Sequence, residues 1–299
     1  MHVRVLGSAA GGGLPQWNCA CAGCEAARRG EIPARTQSSI AVSSDGEQWL
    51  LVNASPDVRT QLVPFGPARG RGSRVAAVVV TSADIDHASG LLVLREGWAP
   101  PIYATGEVEA ALREGIGILP ALSAFGRVDM RPLEPSSTVS FADRDGKALG
   151  VEAEVIDVAG KPPPYTRKRL GDAPGPGHVV ALLLREAGGG REVLYAPGVS
   201  SCAPLEAALA RASLVLVDGT CFTDDELAPL GGKRAREMGH VPVSGPDGSL
   251  ARLVRLTKAR RVYVHVNNTN PMLLPRSSER AEVEAAGVEV GVDGLAIEV

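Results

Sequence analysis

A chain of 299 residues, 44% hydrophobic and 22% charged, is long enough to bury a large core and has an ordinary globular composition. Its net charge of −3 and aromatic content of 4% exclude a nucleic-acid footprint and a stacking platform for single strands. The start, Met1-His2-Val3-Arg4-Val5-Leu6-Gly7, lacks a basic region followed by a long apolar stretch, so no signal peptide is expected. Apolar runs such as 75–80 are too short to cross a bilayer. Five cysteines, three of them within six residues, suit a reducing, cytoplasmic compartment better than a disulfide framework.

In chain order, residues 3–6 form a short apolar run closed by Gly7 and read as a buried first strand. Segments 38–42 and 49–52 flank Asp45-Gly46, a strong hairpin signal. The β-branched run 75–81 has the continuous apolarity of a strand covered on both faces. Helices are expected from 90 and over 107–114. A third is expected with Ser249 as its cap and Leu250, Leu253, Val254 and Leu256 on one face. A strand at 262–266 and a helix at 278–286 follow, and Asp293-Gly294 is read as a hairpin turn before 295–299. This alternation predicts an α/β or mixed α+β fold. Residues 66–74 and 161–177 read as loops. The second, with Pro162-Pro163-Pro164 and Thr166-Arg167-Lys168-Arg169, is expected to be either a lid or a disordered insertion.

Cys19-x-Cys21-x-x-Cys24 brings three soft sulfur ligands within reach of one ion, which selects zinc or, less often, an iron–sulfur cluster. A closed structural site needs a fourth ligand from elsewhere in the chain. Cys202 and Cys221 stand alone and read as small core residues. Gly11-Gly12-Gly13 lacks the Lys and hydroxyl of a phosphate loop, so a tight backbone turn is expected there.

The segment Thr81-Ser82-Ala83-Asp84-Ile85-Asp86-His87 follows a buried strand, where α/β proteins build their sites. Three more segments share its character. Run 214–217 ends in Asp218-Gly219-Thr220, run 262–264 ends in His265 and then Asn267-Asn268-Thr269-Asn270, and His240 sits in a Gly-flanked loop. Any one such residue is more often structural than functional; strands that repeatedly deliver His or Asp at one end point to metal ligation.

Several segments together carry a specific resemblance: GSAAGGGLPQWNCACAGC at 7–24, RTQSSIAVS at 35–43, NASPDVRTQL at 53–62, DIDHASGLLVLRE at 84–96, MGHVPVSGPDGSL at 238–250 and VHVNNTNP at 264–271. The chain resembles the metallo-β-lactamase superfamily and, within it, the family of pyrroloquinoline quinone (PQQ) biosynthesis protein B. That resemblance implies one domain over 1–299, a four-layer αββα sandwich with a zinc knuckle at 19–24 and a metal site at one edge of two sheets. The superfamily hallmark His-x-His-x-Asp-His reads here Ser82-x-Asp84-x-Asp86-His87, two histidines short. The carboxylate that bridges two metals in the hydrolases should fall in Tyr195-Ala196-Pro197-Gly198, where no Asp stands.

Ordinary dinuclear hydrolysis is therefore not expected. The expected active-site ligands are Asp86, His87, Asp218 and His265, with His240 and Asp84 assisting, in a two-His, one-carboxylate style that suits Fe(II). The resemblance implies iron-dependent hydroxylation of the tyrosine of a Glu-Tyr dipeptide cut from a precursor peptide. Alternatives are a carrier that moves PQQ or its precursor towards the periplasm, and a phosphodiesterase-type metallohydrolase. The basic run Arg167-Lys168-Arg169 could close over the anionic dipeptide. Expected partners are that peptide or a PQQ precursor, with a homodimer left open, and neither nucleic acid nor membrane. Related phosphodiesterases hold a structural zinc on the same cysteine knuckle and complete it with a His three residues beyond their last site His. The equivalent here is Asn268, so the fourth ligand is left open. They also carry a general-acid His where His240 stands.

Overall fold

A computed structural model describes residues 1–67, 73–96 and 100–299. The expected loop at 66–74 thus lies in large part outside the described residues. Among the described residues, fourteen strands build two seven-stranded sheets. In the first sheet are β1 (His2–Gly7), β2 (Ser39–Ser43), β3 (Trp49–Val52), β4 (Val75–Val79), β5 (Pro101–Ala104) and β6 (Asp129–Pro132). In the second are β7 (Thr138–Ala142), β8 (Ala148–Asp157), β9 (Val180–Glu186), β10 (Val193–Ala196), β11 (Leu214–Asp218), β12 (Arg260–Val264) and β13 (Glu289–Val290). The last strand, β14 (Ala296–Glu298), returns to the first sheet beside β1, giving the order β14-β1-β2-β3-β4-β5-β6 against β13-β12-β11-β10-β9-β8-β7. Each sheet is antiparallel in one half and parallel in the other.

The pleat explains why these strands read as unbroken apolar runs. In β3, Leu50 and Val52 point between the sheets, while Trp49 and Leu51 point outwards under helices. In β9, Leu182 and Leu184 face inwards, and Ala181 and Leu183 face the opposite helical layer. Three apolar layers result: one between the sheets, one under Val58, Val108 and Leu112, and one under Ala208, Leu253 and Val283. That is an αββα sandwich. No helix among the described residues is long and apolar enough to cross a membrane.

The Asp45-Gly46 hairpin forms as expected, with Gly46 at φ +74° and β2 paired antiparallel to β3. The glycine run makes a tight turn, with Gly12 and Gly13 at positive φ and Gly13 N–H bonded to Ala10 O. Cys202 and Cys221 are buried and free. Two expectations are corrected. Ser249 does not cap its helix: Gly248 is the N-cap of Ser249–Leu253, and the buried Ser249 hydroxyl bonds instead to Tyr263 Oη at 3.0 Å. Only Leu250 and Leu253 of its expected face are fully buried; Val254 is exposed.

Asp293-Gly294 is not a hairpin either, because β13 and β14 lie in different sheets. The carboxylate of Asp293 explains the crossover. It accepts from Ser8 N and Oγ through Oδ1 and from Thr36 N and Oγ1 through Oδ2, at 2.6–2.8 Å, tying the chain's end to its beginning. Asp293→Ala would strip four donors of their acceptor and is expected to cost about 2–4 kcal/mol, read as a shifted urea midpoint at constant slope.

Candidate metal centre

Three of the polar segments meet at the ends of parallel strands, and the His240 loop joins them. After β4 the chain turns through Ser82 and Asp84 into the short helix Ile85–Ala88, which carries Asp86 and His87. Asp218 ends β11, and His265 follows β12. His240 comes from the loop after the helix Ala235–Met238. Ligand atoms of Asp86, His87 and His265 all lie within 4.8 Å of one another, as do those of Asp218, His240 and His265. His265 is shared by both groups. Its ring lies 5.3 Å from His87, edge-on, and 5.3 Å from His240, stacked. All three line one cleft of about 730 Å³, which also takes in Asp84, Lys161 and Lys233.

Proton counting fixes how each ring faces. Ser82 Oγ lies 2.7 Å from Asp84 Oδ2 and 2.7 Å from His87 Nδ1. A hydroxyl has one proton, and the carboxylate can only accept, so Ser82 donates to Asp84 and receives Nδ1–H from His87. Thr220 Oγ1 does the same work for His265, donating to Asp218 Oδ1 at 2.6 Å and accepting from His265 Nδ1 at 2.8 Å. His240 Nδ1 donates to Asp218 Oδ2 at 2.6 Å. Every Nδ1 is therefore occupied, and in the neutral form each ring keeps its lone pair on Nε2. Such outer partners hold metal-binding imidazoles in register.

The buried Nε2 of His87 has no hydrogen-bond partner. His265 Nε2 lies 3.2 Å from Asp86 Oδ2. A lone pair facing a carboxylate oxygen at that distance is repulsive without a shared cation, so the donor set fits a metal ion held by Asp86, His87 and His265. Burial works against ionising Asp86; with His87 and His265 protonated, their charge and the hydrogen bond from His265 outweigh it and hold the carboxyl well below the usual range, a role that a bound cation would take over. Burial likewise pushes the His87 imidazole down, towards the neutral form that a ligand needs. Burial opposes protonation of His240 too, yet the Asp218 carboxylate prevails and raises it.

Asp218, expected as a ligand, is placed otherwise than its lone sequence position suggests. Its Oδ1 accepts from Thr220 N and Oγ1 and its Oδ2 from Val199 N and His240, so all four acceptor positions are taken by the protein. It orients His240 and, through Thr220, His265. Asp84 sits on the cleft wall behind Ser82. Sequence reasoning did not foresee Ser82 and Thr220 as orienting groups; the only signal was their position beside Asp84 and Asp218 at strand ends. Ser82→Ala is expected to weaken metal binding about 10–100-fold with little change in melting temperature, measured by competition with a chelator.

Gly198 stands where a bridging carboxylate was expected to be missing. A Cβ added there would lie 3.8 Å from His240 Cε1, so a longer side chain would enter the centre. The segment 161–177 carries a short helix at Arg167–Leu170. It packs onto the motif through the Tyr165 hydroxyl, which donates to Ala83 O, and onto the turn Ala111–Gly115 through Arg169, which donates to Glu114 O at 2.7 Å. Of the expected basic triplet only Arg167 lines the cleft, paired with Asp172 at 2.8 Å; Lys168 does not, and Arg169 is spent on Glu114.

The cysteine knuckle is separate from the cleft. The three Sγ atoms lie within 4.8 Å of one another, and Cys21 caps the helix Ala22–Arg28 by accepting from Cys24 N. Backbone N–H groups of Gln16, Cys21 and Cys24 point at Cys24, Cys19 and Cys21 sulfurs at 3.2–3.5 Å, the surroundings that thiolates in a metal knuckle need.

A sequence model of the beta-lactamase superfamily domain matches residues 48–266. Coenzyme PQQ synthesis protein B of Pseudomonas aeruginosa UCBPP-PA14 is 42% identical over the whole of both chains. The namesake from Azoarcus sp. BH72 is 44% identical over 99% of each. The chain belongs to the PqqB family of the beta-lactamase superfamily. The Zn(2+)-bound PqqB of Methylobacterium extorquens superimposes with a TM-score of 0.90 at 39% identity over the full length of both chains. A diphosphatase of the PhnP family, at 21% identity and a TM-score of 0.68, shares the fold. As in the sequence reading, this family member keeps the superfamily's architecture with a depleted histidine motif.

Proposed function

We propose that this PqqB-family protein is a non-haem iron-dependent hydroxylase that acts on the tyrosine of a Glu-Tyr dipeptide. Family membership carries a part in coenzyme PQQ synthesis. The observation that supports the finer reading is the convergence of His87 Nε2, His265 Nε2 and Asp86 Oδ2 without a bridging carboxylate at Gly198. Two imidazoles and one carboxylate with open positions are the donor set of oxygen-activating Fe(II), whereas two-metal hydrolysis needs further ligands. Bound there, Fe(II) would supply activation of dioxygen.

The chain's own residues supply the rest. Lys161 and Lys233 give the cleft positive charge for the carboxylates of a small peptide. Pro162, Pro163 and Pro164 form a rigid wall over the site, held down by Tyr165. His240, pinned by Asp218 through Nδ1, keeps Nε2 free to hold or pass a proton beside the substrate. Aromatic hydroxylation consumes two electrons besides dioxygen, so the assay includes excess ascorbate. Anaerobic loading with Fe(II), then addition of Glu-Tyr and oxygen, should yield a product heavier by one or more oxygen atoms. Absence of that product together with cleavage of a phosphodiester reporter would overturn the proposal in favour of a hydrolase. Tight PQQ binding without turnover would overturn it in favour of a carrier.

A further inference from the structure

Three polar side chains run in a hydrogen-bonded line from the cleft wall into the protein behind it. Asn267 lines the cleft two residues beyond His265, and its N–H donates to Thr220 O at 3.1 Å. Asn267 O accepts from Asn270 N at 3.0 Å, and Asn270 Nδ2 donates to Gly219 O at 2.9 Å, so a closed turn holds the backbone. Asn267 Nδ2 lies 2.6 Å from Thr269 Oγ1, which in turn lies 2.5 Å from Glu226 Oε1. Glu226 Oε2 accepts from Phe222 N at 2.6 Å.

Proton counting gives the line a direction. Burial raises the Glu226 carboxyl while its hydrogen-bond donors oppose the rise, which leaves a carboxylate at neutral pH. A carboxylate only accepts, so the single Thr269 proton goes to Glu226, and Thr269 Oγ1 must accept from Asn267. The amide nitrogen is thereby committed inwards. Asn267 Oδ1 has no donor among the described residues and is left to the cleft as an open acceptor. Which end of the amide faces out is set by Glu226, because a half-turn about χ2 would otherwise exchange the two.

An uncharged acceptor beside His265 suits an uncharged donor. Carboxylates of a small peptide are matched by Lys161 and Lys233, and an ammonium by Asp84, all on the same cleft. The group that a reaction on tyrosine brings nearest to the candidate metal centre is the phenol, whose O–H is an uncharged donor. We propose that Asn267 Oδ1 accepts this phenolic hydroxyl and so distinguishes tyrosine from phenylalanine, an assignment that rests on the Glu-Tyr reading of the cleft. Thr269 and Glu226 are positioning residues that keep the amide oxygen outwards. With phenylalanine in the cleft, that oxygen loses its solvent and gains no partner, which is how a hydroxyl-reading site rejects the analogue.

The test reads binding rather than turnover. Protein loaded with Zn(II) is titrated by calorimetry with three peptides: Glu-Tyr, Glu-Phe and Glu-(4-aminophenylalanine), whose neutral aniline donates and scarcely accepts. The native chain should bind the first and third about tenfold more tightly than Glu-Phe. Asn267→Leu should bring all three within about twofold of one another.

Glu226→Gln is isosteric and reverses the line. Phe222 N–H still takes the side-chain oxygen, so the new amide nitrogen donates to Thr269, Thr269 donates to Asn267, and the Asn267 amide turns its N–H to the cleft. A phenol can accept that N–H, whereas the aniline cannot, so the third peptide alone should fall to the level of Glu-Phe. A merely structural Glu226 would weaken all three alike, and that result would overturn its positioning role. Where Asn267→Leu fails to fold, Glu226→Gln carries the test. Equal native affinity for Glu-Tyr and Glu-Phe, or a preference that survives Asn267→Leu, would overturn the assignment and leave the hydroxylase reading in place. The Asn267-dependent preference without hydroxylated product in the iron-loaded chain would uphold the assignment and remove the hydroxylase reading. No binding of any of the three peptides would overturn both.

Discussion

His265→Ala and His265→Gly are both expected to abolish metal retention in the cleft, and they should differ from each other in stability. Each removes one of three donors, a larger loss than the roughly 10–100-fold typical for an outer partner. The remaining pair, Asp86 and His87, cannot close a site, so metal analysis after gel filtration should show one equivalent fewer per chain. The proposed Glu-Tyr hydroxylation should disappear with it. The backbone supplies the second readout. At φ +55° alanine carries the Cβ clash of the left-handed region, worth about 1–2 kcal/mol, and glycine does not. Both variants lose the same contacts to Thr220 and Asp86, so their difference isolates the backbone. His265→Gly should be more stable than His265→Ala by about 1 kcal/mol in urea, offset in part by glycine's greater unfolded-state entropy. Equal stability would mean that the strain is relieved elsewhere in the 265–268 loop. Full metal retention in either variant would remove His265 from the centre.

Cys24→Ser is expected to give the second large effect. Cys24 is fully buried, and its sulfur takes Gln16 N–H as well as the Asn268 amide. Serine oxygen is a hard, weakly acidic donor and replaces a thiolate poorly on zinc. The chain should lose the zinc of the knuckle while the sheets persist, since the cores between and outside them do not depend on residues 19–24 alone. With free zinc at a thousand times the dissociation constant, binding contributes about 4 kcal/mol to the native state. At about 3 °C per kcal/mol for a chain of this size, melting should fall by roughly 10 °C. Native protein treated with a strong chelator should fall at least as far, because the cleft ion is removed with that of the knuckle, and the variant should respond less to the chelator than the native chain. A variant that melts with the native chain in excess zinc would show that the knuckle holds no stabilising ion.

The two effects separate two kinds of site. An ion in the knuckle would stabilise by tying together short segments, so its removal is expected to be read in melting temperature. The cleft holds three imidazoles whose Nδ1 atoms are each committed to a hydroxyl or carboxylate, so its disruption is read in metal affinity and turnover. The 265–268 loop touches both, His265 at the cleft and Asn268 at the cysteines.

Much of this was legible in the residues themselves. Apolar runs at 75–80, 214–217 and 262–264 are continuous because each strand lies between a helical layer and the other sheet, and that burial can be read without coordinates. The hairpin at Asp45-Gly46 rests on a local preference for positive φ. The three cysteines lie within six residues, so their common ion needs no long-range contact. Strands between residues 101 and 196 were not anticipated: β6 and β7 carry polar residues at irregular positions, whereas β8 alternates apolar and polar residues and β9 is an apolar run, signals that the sequence reading passed over. The crossover at Asp293 was misread because Asp-Gly favours a turn without stating which strands it joins; Ser8 and Thr36, far back in the chain, decide that. The resemblance to a known family supplied the frame in which Ser82, Asp84, Asp86 and His87 could be compared.

What sequence alone determined is local: element types where the apolar period is unbroken, the sulfur cluster, and the presence of His and Asp at strand ends. Tertiary structure decided their division of labour. Asp86 and His265 are 179 positions apart and meet only because β4 and β12, in opposite sheets, end at the same edge. Asp218 and Asp86 are the same residue type after similar strands. One has every acceptor position filled by protein donors, and the other faces two imidazole lone pairs. That difference lies in where neighbouring protons point, which no single position in the sequence specifies.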